Sequence, residues 1–576
     1  MSLKAWKIWK IILVAGSVLA ALKLIFVDYS LDEEYQIVMA YKNLTGDALF
    51  KEMWEPHQTS AFLCAGLMRL YMAVTGTTTG IILFLRFVTL GIQLGLSYAV
   101  YRTLRHITEE KYAFLLTLIY FNIVPKNIQI PEFGNMQLWF LTIPLLLFLW
   151  YVWEREEKNK DRWYLVIFAG VGLACEVLVY PTCVFLLPFF IGYIWVNCKK
   201  TKWRDSLLLS GTCGVCGAVW LAKVMKNVGL NELLGNVEKM LAFDVTHDVS
   251  GMTDAKRVNF VDNFILWALL LLIIAAISAV ILAIFLWIGK KRGAEKFDCG
   301  GRILIFLVVA IVVSEILQIY YWTVVNGGYE YPQIHLLVVW LAAAVAWQFA
   351  GGEKKGLGWV MAGTLIAYAG VMYISDLALY FSLPHGTLGI VACAAVILLA
   401  LQKVLGQRSR LWISLLLISL CLCSIFGKGY TLRGGKEDNT IWSVGNIMKQ
   451  GPAAGIFAEY MCAHIYNCNY EDYGLYLNKG DKVLIVANMI MSVGTTAYLF
   501  EDVEVCHYSV VDPTAYDERL LAYWEQYPQK APNVIVVDAW FGHLRENPDS
   551  WIMQYIENEF GYTSVENGEY VRFYRK

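Results

Sequence analysis

Four acidic residues stand close together directly after the first apolar run: Asp28, Asp32, Glu33 and Glu34, with Tyr35 next. Carboxylates leaving a membrane span sit at headgroup level, where they can act as a general base or as ligands at the membrane surface. The plain alternative is the solvated acidic start of a loop. Trp54-Glu55-Pro56-His57 follows in the same segment, and an exposed loop histidine is ordinarily just solvated. Three further ionisable residues lie inside apolar runs, Arg86, Glu176 and Glu315, and Lys23 lies near the end of the first. A charge in hydrocarbon is costly and has to find a partner or water, so each is a functional candidate by default. All four fall in the outer half of their runs, on the side of the acidic cluster. A shared outward-facing polar cavity accounts for this; the alternative is snorkelling of Lys23 and Arg86 with separate internal pairs for the glutamates. In the tail, Cys462, His464 and Cys468 match no standard zinc spacing, so an outer-face disulfide or no role at all is the better reading, and no metal ligand set is assigned. No Ser/His/Asp arrangement suggests nucleophilic catalysis.

The elements that must position these residues are membrane spans. Of 576 residues 58% are hydrophobic and 16% charged, with mean hydropathy +0.50, against roughly 45–50% and about 25% in soluble chains. The excess falls in apolar runs of about 18–25 residues, each long enough to cross the hydrocarbon core as a helix. About thirteen are expected: 11–27, 78–100, 112–125, 136–153, 163–179, 182–197, 206–222, 263–289, 303–322, 332–349, 357–375, 386–402 and 411–426. Most of the 13 cysteines lie in these runs as small hydrophobes. Net charge is −1, so no global field recruits nucleic acid. Lys4, Lys7 and Lys10 precede the first run and no small-residue cleavage site follows it, so this run reads as a signal anchor with a cytoplasmic N-terminus.

Basic residues then set the orientation. Arg102, Arg105 and Lys111, Arg155 to Arg162, Lys199 to Arg204, Lys290 to Arg302, Lys354 and Lys355, and Lys403 to Arg410 all fall in segments this count puts inside. The long segments 28–77 and 223–262, and the whole tail, are then outside. The segment 59–75 is apolar but short and contains Arg69, so it reads as a helix lying on the outer surface. Asn43-Leu44-Thr45 is a sequon in the first outer loop. The tail shows strands at Lys482–Ala487, Val503–Val510 and Asn533–Asp538, helices at Ala515–Gln526 and Ser550–Phe560, and a closing hairpin at Tyr562–Tyr574, with no GxGxxG or P-loop. The fold class expected is an α-helical polytopic membrane protein, residues 1–427, with a small extracytoplasmic α/β domain, residues 428–576.

The first third of the chain resembles the membrane glycosyltransferases of the GT-C class, the group that holds protein O-mannosyltransferases (family 39) and bacterial aminoarabinose transferases. The resemblance rests on Asp32-Glu33-Glu34-Tyr35 after span 1, Gly46-Asp47, Glu55-Pro56-His57, the surface helix 59–75, Gly76, and Arg86 in span 2. Tyr180-Pro181 between spans 5 and 6 and Tyr331-Pro332 before span 10 extend it in architecture. It implies an inverting glycosyltransferase of the plasma membrane that moves a sugar from a polyprenyl-phosphate donor to a hydroxyl on a protein, polymer or glycolipid acceptor, among membrane lipids. It further implies Asp32 as the base, Glu33 as its companion, and Asp28, Tyr35, Glu55, His57, Arg86, Glu176, Tyr180, Glu315 and Tyr331 as substrate-binding residues, with Arg86 on the leaving phosphate. No cofactor is required, and a divalent metal is compatible with so many carboxylates. Some members carry a lysine near the span 5–6 turn and a basic residue before span 10; here Val179, Tyr180 and Asn326-Gly327-Gly328 stand there, leaving Lys126 or Lys23 as reserve cations. The rival class is a transporter or flippase coupled through Glu176 and Glu315, although no internal repeat supports it. A non-catalytic anchor for the outer domain leaves the acidic segment unexplained.

Overall fold

The structure, a computed structural model, describes residues 3–29, 31–243, 249–292, 297–328, 333–352, 354–374, 383–432, 440–486, 503–509, 517–538 and 548–576. Long apolar runs have no way to satisfy backbone polar groups in hydrocarbon except as helices, and helices they are. In chain order they are α1 (Leu3–Phe26), α2 (Leu31–Thr45), α3 (Ala61–Thr75), α4 (Ile81–Leu104), α5 (Glu110–Asn122), α6 (Phe133–Lys158), α7 (Tyr164–Val179) and α8 (Leu186–Asn197). They continue with α9 (Lys202–Met225), α10 (Leu230–Phe243), α11 (Val249–Lys291), α12 (Cys299–Tyr320), α13 (Ile334–Ala346), α14 (Lys354–Ile374), α15 (Thr387–Leu405) and α16 (Ser409–Tyr430). All thirteen expected runs overlap one of these helices. Among the described residues, eight helical stretches are long and apolar enough to cross a membrane, the last of them, Leu383–Tyr430, holding both α15 and α16. Tyr164–Val179, Pro181–Asn197 and Ile334–Ala346 are shorter apolar helices. The protein is an integral membrane protein.

A helix apolar on every side is either buried among other helices or faces lipid, and both kinds occur. α15 is buried from Thr387 to Leu401 and forms the centre of the bundle. α9 and α11 instead expose Leu207, Val215, Val219, Phe264, Ile265 and Leu272, a surface for acyl chains. α1, α5, α7 and α16 finish at one end of the bundle, where α4 and α6 begin. The opposite end carries Arg102, Arg155, Arg204, Arg302 and Arg408. There Asp205 accepts from Tyr151 (2.7 Å) and Arg204 (2.7 Å), which satisfies its buried carboxylate.

The first long segment after α1 is more ordered than a loop, since α2 occupies its first half and α3 covers the expected surface helix. α3 buries Ala61, Cys64, Ala65 and Met68 and exposes Leu70 and Val74.

The tail opens with a two-stranded antiparallel ribbon, β1 (Val444–Ile447) with β2 (Phe457–Glu459), followed by α17 (Tyr460–Tyr476). Its main sheet comprises β3 (Lys482–Val486), β4 (Glu504–Val505), β5 (Val534–Asp538), β6 (Ser564–Asn567) and β7 (Val571–Arg575) in the order β4-β3-β5-β7-β6. β3 runs parallel to β4 and β5, and the expected terminal hairpin β6–β7 is antiparallel. Helices α18 (Glu518–Gln526) and α19 (Trp551–Asn558) fall where expected. The strand expected over Val503–Val510 has ladder pairing only at Glu504–Val505. Beyond it the chain turns to the stretch between α1 and α3 instead, where His507 accepts from Lys42 and Tyr508 accepts from the Trp54 backbone at 3.2 Å.

That contact is the centre of an aromatic joint. Trp54, buried, packs on Tyr508, Tyr523 and Tyr527 with centroids 5.4, 5.2 and 6.3 Å away. Asn236 of α10 donates to the Phe50 carbonyl (2.7 Å) and bonds Tyr527 Oη (3.0 Å). The stretches around Trp54 and Asn236 and the tail therefore meet on one face. Trp54→Ala should cost about 3–5 kcal/mol at this joint and speed amide exchange at Cys506–Tyr508 and Tyr523–Tyr527; unchanged exchange there would refute the docking role.

Candidate active site

α2 begins with Leu31-Asp32-Glu33-Glu34, and three carboxylates in the first turn of a helix sit in the favourable field of its N-terminus. At 3.6 residues per turn Asp32 and Tyr35 share a face, whereas Glu33 points about 100° away. Glu33 meets Arg86, one turn into α4. Arg86 donates Nε to Glu33 Oε1 (2.9 Å) and Nη2 to Oε2 (2.6 Å), a bidentate pair with both partners buried. Its remaining donors reach the carbonyls of Ile25 (2.9 Å), Val27 (3.5 Å) and Asp28 (2.7 Å). The last carbonyls of a helix lack intrahelical partners, so one guanidinium both caps α1 and fixes the start of α2.

Asp28 adopts a left-handed backbone (φ 73°), accepts from the Tyr29 N–H and donates its own N–H to Phe457 (2.8 Å). It thus serves the junction between α1 and the tail. Its carboxylate borders a small cleft shared with Lys23, Arg86 and Asn127. Glu34, also buried, faces Tyr29 and Tyr466, where burial followed by the Glu34 charge pushes the Tyr29 phenol well above its usual range.

Asp32 faces the other way, toward the turn between α5 and α6. Lys126 lies there, buried, with Nζ 3.4 Å from Asp32 Oδ2, 3.8 Å from Glu132 Oε2 and 3.6 Å above the Phe133 ring. Lys126 and Asn127 both have positive φ (53° and 52°). Two successive non-glycine residues in that region carry strain of the kind that concentrates at functional sites. The turn is held by Asn127 Nδ2, which donates to the Thr431 carbonyl (3.2 Å) and hydroxyl (2.9 Å) beyond α16; Lys23 also donates to that carbonyl. Glu132 caps α6, accepting from Gly134 (2.7 Å) and Asn135 (2.6 Å). Burial pushes its carboxyl above the usual range, against the pull of Lys126. A Cβ at Gly134 would come within 2.7 Å of Glu132 and 2.9 Å of the His385 ring, so only glycine lets that histidine close over the cap.

Aromatic rings wall this charged group. His57 stacks on Phe133 at 4.3 Å and 9°, and Tyr180 stands edge-on to both, at 5.7 and 6.1 Å. Tyr35 is 6.3 Å from His57 and donates to Glu55 Oε2 (3.0 Å), which also takes Ser509 of the tail at 3.4 Å. His385 lies 6.4 Å from Tyr180, with Nδ1 3.3 Å from Gln137. Asp32 keeps 22% of its side chain exposed against 2% for Glu33, so it is the more accessible of the two.

Asp32, Tyr35, Glu55, His57 and Tyr180, drawn from three separated stretches, thus share one site. Glu33, Arg86 and Asp28 adjoin it from behind. Glu176 is buried one turn before Tyr180, beside Cys183 and Gln137. Glu315 is buried on α12 beside Ser419 of α16. Tyr331 lies outside the described residues. Glu132, Phe133 and His385 were missed. Glu132 carried a readable signal, an acid just ahead of the α6 run as in a helix N-cap; His385 carried none.

No family model matches the sequence, and no curated protein matches it. Among solved structures, the chain is similar to the archaeal oligosaccharyltransferase AglB from Archaeoglobus fulgidus in complex with an inhibitory peptide and a dolichol-phosphate, at 12% identity and TM-score 0.44, over 93% of this chain and 70% of that one. An Archaeoglobus fulgidus oligosaccharyltransferase tethered with an acceptor peptide gives 11%, 0.41, 92% and 69%, and an apo form 12%, 0.40, 92% and 69%.

Proposed function

We propose that the protein is an inverting glycosyltransferase that moves a sugar from a polyprenyl-phosphate donor to an acceptor hydroxyl at the outer face of the membrane. The observation that carries this is the accessible Asp32 carboxylate, held 3.4 Å from buried Lys126 and ringed by His57, Phe133 and Tyr180, at the level where the helices end. A lipid-borne donor places its phosphate at that level. The acceptor oxygen attacks the anomeric carbon, its proton passes to Asp32, and the carbon–oxygen bond to phosphate breaks with its electron pair leaving on the polyprenyl phosphate. One displacement inverts the anomeric centre. With its donors spent on Glu33 and the end of α1, Arg86 acts as a positioning residue in this scheme, and the phosphate charge falls to Lys126 and Lys23. Flat rings suit the apolar faces of a sugar or a prenyl chain.

The test is a transfer assay in membranes with a panel of radiolabelled polyprenyl-phosphate sugars. Label should move from at least one donor to a membrane-borne acceptor; no transfer from any of them overturns the reading. The transporter reading draws on one observation, that Glu176 and Glu315 are buried with no ion-pair partner among the described residues. The two sit on different helices with separate neighbours. Glu315→Gln is therefore expected to leave sugar transfer within about twofold of wild type, whereas a coupled transporter would lose its activity.

A further inference from the structure

Among the described residues, one cluster of ligating side chains lies outside this site, on the tail domain. His464, Cys468 and Asp472 recur every four residues on α17 and so form a stripe on one face. The turn between β6 and β7 is laid on that stripe. Its Glu569 N–H donates to Asp472 Oδ2 at 2.8 Å, and the neighbouring Gly568 approaches so closely that a Cβ would lie 2.3 Å from the same oxygen. The hairpin is thereby seated, and the Glu569 side chain falls over His464 and Cys468. Glu569 Oε1 is 3.6 Å from His464 Nε2, and Cys468 Sγ is 3.8 Å from His464 Nδ1 and 4.0 Å from Nε2. One ligand atom from each of the three residues lies within 4.8 Å of the others. Tyr460 stacks on the imidazole at 5.6 Å and 9°, and Tyr570 meets it edge-on at 5.7 Å, which fixes the ring plane.

The two cysteines of the stretch, Cys462 and Cys468, do not form a disulfide, and six residues on a helix put them about 240° apart. Zinc–nitrogen and zinc–sulfur bonds of about 2.0 and 2.3 Å in a tetrahedron give ligand–ligand edges of about 3.4–3.6 Å. The His464–Glu569 and His464–Cys468 spacings exceed these by only a few tenths of an ångström, and Cys468 and Glu569 lie within 4.8 Å of each other. Glu471 and Asp472 add negative charge beside the thiol.

We propose that His464, Cys468 and Glu569 bind one divalent ion of the zinc class, which fastens the terminal hairpin to α17 and keeps its fourth position for water. The mixed nitrogen, sulfur and oxygen donor set favours a borderline-soft transition ion over calcium or magnesium.

Cobalt(II) reports the site directly. The full chain, purified in detergent and stripped with a chelator, should take up one equivalent of Co²⁺ with a near-ultraviolet thiolate charge-transfer band and tetrahedral visible bands, both erased by Zn²⁺. Cys468→Ser should remove the thiolate band, and Glu569→Gln should weaken Co²⁺ binding at least by the roughly 10–100-fold that loss of an outer-shell partner costs. No thiolate band from the wild-type chain overturns the proposal, as does a band that persists unchanged in Cys468→Ser. The wild-type titration needs no variant to fold, and the readout is independent of sugar transfer.

Discussion

Asp32→Asn is expected to lower sugar transfer by roughly 10²–10⁴-fold, the usual contribution of a positioned general base, with little change in protein level or melting. The amide is isosteric and cannot accept the acceptor's proton. Its structural cost is small, because Asp32 is part-exposed and Lys126 keeps Glu132 and the Phe133 face as partners. The measurement is the initial transfer rate in membranes with the donor that the panel identifies, normalised to protein amount. Full transfer by Asp32→Asn would remove Asp32 from the base role. Because Glu33 is buried on Arg86, Glu33→Gln should show its main effect as lost stability, which separates two adjacent carboxylates that look alike in the sequence.

Arg86→Ala should be the most destabilising single change at this end of the bundle. Removing one partner of a buried pair leaves a charge with no compensation, at a cost of about 3–5 kcal/mol. Here the carbonyls of Ile25 and Asp28 lose donors as well, and a buried acceptor left unsatisfied costs about 1–3 kcal/mol. Arg86→Lys should not rescue it, since a single ammonium cannot reproduce the planar fork that serves Glu33 and two carbonyls at once. Replacing both partners, Glu33→Met with Arg86→Met, should recover a large part of the loss, because the buried charge then disappears. Tryptophan-fluorescence melting of the purified chain in detergent reads all three variants. A wild-type melting temperature for Arg86→Ala would show that the guanidinium does not hold α1 to α2. Transfer is expected to fall with the melting temperature, since α2 carries Asp32.

The bundle was legible because membrane insertion is decided by composition over some twenty residues, a local property. Even the short segment at 59–75 was readable as a helix, which α3 bears out. The convergence of Asp32, Tyr35, Glu55, His57 and Tyr180 was legible through the spacing of a resemblance rather than through any interaction visible in the chain. The partner of Asp32 was less so. Lys126 reaches it through a turn with two left-handed non-glycine residues, a conformation that no residue pattern announces. The pairing of Arg86 with Glu33 needed knowledge of where Ile25 and Asp28 end up, and helix α17 lacks the apolar periodicity that would have marked it. His385 is some 250 residues from Glu132 along the chain, and only the packing of α15 against the bundle brings it there.

The pairing of Val27 with Phe457, like the Trp54 joint, ties the start of the chain to residues made after every helix of the bundle. The stretch that carries Asp32 emerges early in synthesis, yet the surfaces that brace it come last. A ribosome therefore completes the whole membrane part before these braces exist, and, on the proposed function, a chain cut short after α16 should insert in the bilayer and transfer no sugar.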